Sequence, residues 1–108
     1  MPKGDFLGEF EIYVMLALAH LGPEAYGVSI RQEIERRTGR DVAIGAVYAT
    51  LDRLEAKGLL RSRRTFAAGP SRRLFELTRV GARALTETRA MRERLWAGVS
   101  LTQLKGMA

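Results

Sequence analysis

Between Arg53 and Arg73 the chain carries seven basic residues (Arg53, Lys57, Arg61, Arg63, Arg64, Arg72 and Arg73) against one acid, Glu55. That window holds a charge of +6, which equals the formal net charge of the whole 108-residue protein. Charge concentrated in this way attracts a polyanion, because each phosphate it neutralises releases condensed counterions. Five of the arginines flank the six-residue segment Phe66–Ser71. A charged strand edge that deters edge-to-edge pairing is the bland explanation. One or two arginines would serve that purpose, so five fit contacts to phosphates or a minor groove better. Such contacts set position and affinity and carry little sequence information.

Other chemistries find little support. His20 is the sole histidine and stands among apolar neighbours, as a packed or partly exposed helix residue does. No His/Asp/Glu group has metal-ligand spacing, no glycine-rich phosphate loop is present, and no nucleophile motif occurs. Neither an enzyme nor a metal or cofactor site is expected. The absence of cysteine removes disulfides and thiolate chemistry and agrees with a cytoplasmic protein. The longest apolar run, Ile12–Leu21, is too short for a bilayer and contains His20, and no signal-peptide pattern is found. Trp96 is the only tryptophan. It reads as dimer packing or a partly exposed ring, or else as a flat wall of a pocket for a small aromatic effector, with Met91 and Leu95 beside it.

The elements that position these residues follow from periodicity. Phe10, Val14, Ala17, Leu18 and Leu21 recur at helical spacing over 9–21, and Gly22-Pro23 stops that helix. Ile12, Tyr13, Met15 and Leu16 make it apolar almost all round, as for a helix buried on several sides. A second helix spans about 26–38, with Tyr26, Ile30 and Ile34 four apart and Gly39 as terminator. Residues 40–44 lean towards β and suffice for one brief strand. A third helix over 45–57 buries Val47, Leu51 and Leu54 and ends at Gly58.

The period then changes. Residues 59–65 and 72–78 form two extended stretches joined at Gly69-Pro70, an antiparallel hairpin in which Phe75 and Leu77 alternate with Leu74 and Glu76. Thr78 caps a fourth helix running to Trp96 or beyond. Leu85, Thr88, Met91 or Arg92, and Leu95 trace a stripe as narrow as a coiled-coil seam. The tail after Gly98 either continues this helix or frays. The fold class is therefore mainly α with a small β-hairpin: a winged helix-turn-helix over 1–78, followed by a C-terminal dimerisation helix and tail over 79–108.

In the third helix the 100° step per residue turns Ala46, Ala49 and Arg53 outward, with Tyr48 on the flank. Small residues at 45, 46 and 49 allow the backbone close to the floor of a major groove, and Arg53 then reaches a phosphate or a guanine edge. An ordinary amphipathic helix with alanines on its solvent face fits the helix alone equally well. The arginine-bearing hairpin that follows favours DNA.

Four stretches carry a resemblance: Leu-Gly-Glu-Phe-Glu (7–11), Ala-Tyr-Gly-Val-Ser-Ile (25–30), Gly-Ala-Val-Tyr-Ala-Thr-Leu-Asp-Arg-Leu-Glu-Ala-Lys-Gly-Leu (45–59) and Arg-Arg-Leu-Phe-Glu-Leu-Thr-Arg-Val-Gly (72–81). In this order the chain resembles the PadR-type transcriptional regulators. The 45–59 stretch is the most specific of the four. The resemblance implies DNA contact by the third helix, the start of the second and the wing. The residues concerned are Tyr26, Ser29, Ala46, Tyr48, Ala49, Thr50 and Arg53, with Arg63, Arg64, Arg72 and Arg73 on the wing.

It also implies a homodimer in which the fourth helix packs on the first and on the partner's fourth. Phe10, Val14, Leu85, Met91 and Leu95 carry that contact. The short turn over Phe66–Ser71 fits deep minor-groove insertion poorly. The single terminal helix matches the short members of the family rather than those with an added helical domain. Repression, rather than activation, is likewise an expectation of the resemblance. The functional expectation is a sequence-specific regulator of double-stranded DNA with a pseudo-palindromic operator, relieved by a small molecule or another signal. The alternative is a winged helix whose arginines meet an acidic protein partner.

Overall fold

The computed structural model describes residues 7–66 and 69–108. Helix α1 (Glu9–Leu21) begins where Gly8 N–H donates to Glu11 Oε1 at 2.8 Å and stops at Gly22, whose φ of +78° needs no Cβ. Ile12, Val14, Met15, Ala17 and Leu18 are buried on several sides of it, as expected of a helix at the centre of the core. A single 3-10 turn over Gly22–Glu24 leads into strand β1 (Ala25–Tyr26) and then α2 (Gly27–Thr38), which ends at left-handed Gly39. Helix α3 (Ile44–Ala56) follows and buries Val47, Leu51 and Leu54 completely.

Strands β2 (Leu60–Thr65) and β3 (Arg72–Leu77) form the antiparallel hairpin, with Leu60 opposite Leu77 and Thr65 opposite Arg72. The sheet order is β1-β3-β2, with Ala25 opposite Phe75 and Tyr26 opposite Leu74. Thr78 Oγ1 accepts Gly81 N–H at 3.1 Å to cap α4 (Arg79–Trp96), and donates to the Gly58 carbonyl at 2.7 Å. Gly98 turns the chain, and Ser100 caps a short α5 (Leu101–Met107). The tail is therefore a separate helix. This is the winged-helix arrangement expected from the sequence.

Two expectations are corrected. The brief strand expected at 40–44 is absent: residues 40–43 are loop, pinned by Val42 N–H on Glu35 Oε2 at 3.0 Å, and Ile44 already starts α3. The third strand is instead Ala25–Tyr26, a two-residue piece defined by its partner across the sheet rather than by its own composition. Within the hairpin, Leu74 and Phe75 do not alternate, for both are buried. β3 is the middle strand, with α1 and the turn after it packed close by. Among the described residues no helix is long and apolar enough to cross a membrane.

Candidate nucleic-acid interface

Helix α3 presents a shallow outer face. Gly45, Ala46, Ala49, Asp52, Arg53 and Ala56 are exposed, whereas Val47, Leu51 and Leu54 are fully covered. Tyr48 is 39% exposed and lies against the start of α2. A Cβ on Gly27 would stand 2.3 Å from Tyr48 Cζ and 2.4 Å from its hydroxyl oxygen. Any larger residue at 27 would force the Tyr48 ring to move, so glycine lets the ring lie directly on the start of α2. Tyr26, the residue before α2, stacks under the Arg72 guanidinium at 4.3 Å from ring centroid, a cation–π contact that joins the wing to the same edge.

The arginines differ in how far they are committed. Arg64 has no ion pair among the described residues, and Arg72 has only the Tyr26 ring. Arg63 reaches Glu24 at 3.2 Å, with both side chains largely in solvent, and Arg61 pairs with Glu76 at 2.8 Å. Such exposed pairs are weak and exchange readily for phosphate. Arg53 donates to Thr50 Oγ1 at 3.3 Å and its Nε stands 3.7 Å from Glu11 Oε2.

Arg73 is different. NH1 donates to Asp52 at 2.8 Å, NH2 to Glu55 at 2.5 Å and Nε to the Ser62 hydroxyl at 3.1 Å. Burial pushes the Glu55 carboxyl up, but the Ser62 hydroxyl, Arg73 and the Ser62 N–H outweigh it and hold it below the usual carboxylate range. Burial likewise disfavours charge on Arg73, and Asp52 and Glu55 more than restore it.

Three residues expected at the interface are engaged within the chain. Thr50 is buried, one turn before Leu54 on the inner side of α3, so its methyl and hydroxyl serve packing and Arg53 rather than an outer surface. The Ser29 hydroxyl accepts Tyr26 N–H at 3.0 Å and donates to Tyr26 O at 2.9 Å, closing the α2 start. Arg73 turns its guanidinium to α3, with 32% of its side chain exposed. Ala46, Tyr48, Ala49, Arg53, Arg63, Arg64 and Arg72 remain at the surface. In the turn over 66–71, where compactness is expected, Ala67 and Ala68 lie outside the described residues, and Phe66 is 79% exposed.

Sequence reasoning missed the acids that organise this face: Glu11, Asp52 and Glu55. Asp52 and Glu55, spaced i,i+3 in a basic stretch, were the available signal.

On the opposite side, Val14 is completely buried inside the chain. It belongs to the core and has no surface to offer a partner. Phe10, Leu85 and Met91 are half-buried, and Leu95 is 72% exposed. Between α1 and α4 runs a groove of about 580 Å³ whose lining includes Ile12, Leu16, Leu85, Thr88, Arg92 and Trp96. Arg92 pairs with Glu9 at 2.6 Å at its edge.

A helix with a bare outer face beside an arginine-bearing two-stranded wing defines a winged-helix protein of the DNA-binding class. Residues 15–87 match the model of the Transcriptional regulator PadR-like family, and the chain belongs to that family. It is 43% identical over 72 residues to the transcriptional regulator Rv3488 of Mycobacterium tuberculosis, a match covering 67% of this chain and 66% of that relative. The matched stretch is thus just under two-thirds of the relative's own length. A PadR-like transcription factor structure from Bacteroides fragilis superposes with a TM-score of 0.70 at 29% identity, covering 92% of this chain and 89% of the other. PadR of Bacillus subtilis in complex with operator DNA gives 0.63 at 18% identity over 72% of this chain and 45% of that one, a likeness of fold alone.

Proposed function

We propose that the chain is a homodimeric, sequence-specific repressor of double-stranded DNA acting in the cytoplasm. The observation that carries this reading is the exposed strip of α3 (Ala46, Tyr48, Ala49, Arg53) flanked by Arg63, Arg64 and Arg72 of the wing. Small side chains let α3 settle in a major groove while the wing arginines meet flanking phosphates. Residues 79–108 serve as the dimerisation segment. Leu16, Leu95, Trp96, Leu101, Leu104 and Met107 are exposed apolar side chains on α1, α4 and α5, and they favour burial against a second copy. A twofold pair has half-sites about 34–36 Å apart on a pseudo-palindrome. The groove beside Trp96 takes a small planar aromatic effector that relieves repression.

Selection of bound duplexes from a random pool tests the reading. A recovered inverted repeat is the expected result. Equal affinity for scrambled duplexes at moderate salt overturns specificity, and retention of an acidic protein with indifference to all DNA favours the wing as a protein-binding surface. Quenching of Trp96 fluorescence by planar aromatics tests the effector.

A further inference from the structure

On a surface that has to approach phosphates, two carboxylates on the recognition helix are out of place. Asp52 is 61% exposed at its side chain, and Glu55 lies one turn further along the same helix face. Arg73, from the middle strand, engages both through separate nitrogens and gives its third nitrogen to Ser62 of β2. Glu55 closes the ring by accepting both the Ser62 N–H at 3.0 Å and the Ser62 hydroxyl at 2.8 Å. The guanidinium also lies 4.8 Å from the Phe75 ring centroid. One arginine thus joins α3, β2 and β3, with every nitrogen used.

We propose that Arg73 is a positioning residue rather than a DNA contact: with Asp52, Glu55 and Ser62 it fixes the angle between recognition helix and wing, so that both meet one duplex together. The inference rests on the reading of the chain as a DNA binder. A planar fork of donors is needed, because a lysine ammonium is a point charge that cannot hold three acceptors in fixed directions. Masking Asp52 and Glu55 also removes repulsion at the surface facing phosphate. The acids therefore help binding through Arg73, although their charge alone opposes it.

The two roles predict opposite signs for the acids. Duplexes selected by the wild-type protein are titrated with wild type, Glu55→Gln, Asp52→Asn, Arg73→Lys, Arg73→Gln and Arg64→Ala across a salt series. Positioning predicts that Glu55→Gln and Arg73→Lys each weaken binding by roughly tenfold, and that the double variant is no weaker than either, since they break one network. Arg73→Gln weakens binding at least as much as Arg73→Lys, while Arg64→Ala lowers the slope of log affinity against log salt by about one. Tighter binding by Glu55→Gln overturns the proposal, because the acid then merely competes with phosphate for Arg73. Arg73→Lys that binds as tightly as wild type overturns it as well, because a point charge would then suffice. Asp52→Asn, at an exposed side chain, serves if Glu55→Gln does not fold: a loss of about threefold is expected, and unchanged or tighter binding is the contrary result. Failure of the wild type to select or bind any duplex overturns the DNA-binding reading and this proposal with it. Binding that tightens in the acid variants overturns the positioning role alone.

Discussion

The Glu11 carboxylate, in the first turn of α1, receives the Lys57 ammonium of the α3 terminus at 3.2 Å, across 46 residues of chain. The other oxygen of the same carboxylate holds the Gly8 N–H at 2.8 Å, and Arg53 stands on the Lys57 side at 3.7 Å. One acid thus closes the start of the central helix and secures the end of the recognition helix.

Glu11 gives the fold a dependence on pH of known sign. Burial pushes its carboxyl up, yet the Gly8 N–H, Lys57 and Arg53 prevail and hold it below the ordinary value. A carboxyl depressed in the folded state stabilises above its unfolded pKa and loses that contribution as pH falls through the folded one. Glu11→Ala should therefore cost roughly 1–2 kcal/mol at neutral pH. Urea melts at falling pH should show the gap to wild type closing in the acid range; a constant gap would mean that the charge plays no part.

Gly27→Ala places a methyl where the Tyr48 ring already lies, 2.3 Å from Cζ. Overpacking of this kind costs about 1–3 kcal/mol, and here the Tyr48 ring must swing off the start of α2, which places the expected loss at the low end. Chemical denaturation should show that loss, and Tyr48→Ala in the same chain should recover part of it. If Gly27→Ala melts like wild type, the contact between Tyr48 and Gly27 is looser than described.

Arg63 and Arg64 test the wing. With Arg64 unpaired among the described residues and Arg63 only loosely held by Glu24, replacing both by alanine should leave the melting temperature nearly unchanged. The salt slope of DNA binding should fall by up to about two. An unaltered slope would take the wing off the DNA.

Leu95→Glu puts a carboxylate on the most exposed apolar position of α4, 72% open in the single chain. Sedimentation should shift from twice the chain mass to one, with the melting temperature of the isolated chain little changed. Persistence of the dimer would move the contact away from this face of α4.

The helices, the hairpin and the winged-helix order were legible because each depends on local period: helical spacing through Leu54, a stop at Gly58, then extended residues dense in arginine. β1 was not legible, since two residues acquire strand character only through Leu74 and Phe75 opposite them. Charge told where a polyanion would be met, but it could not distinguish Arg64, open to solvent, from Arg73, turned inward to Asp52 and Glu55. That distinction depends on which strand lies in the middle. Val14 and Thr50 fall to the same limit: helical spacing assigns a face, and neighbours decide how wide the covered part of it is.

Gly81 rests on the Leu59 carbonyl so closely that a Cβ there would lie 1.9 Å from its oxygen. Helix α4 is thereby seated at its start against the segment between recognition helix and wing, and the Arg92–Glu9 pair ties it to α1 further along, so an error at the Gly81 hinge is carried outward as along a lever arm. From Gly81 to Trp96 the arm is about 22 Å long, so a tilt of roughly ten degrees at the hinge sweeps its far end through about 4 Å. A twofold pair joined along such arms would double the error in the distance between its reading heads. In the proposed dimer the missing methyl at one glycine would act as a gauge block for the separation at which two copies share a single duplex.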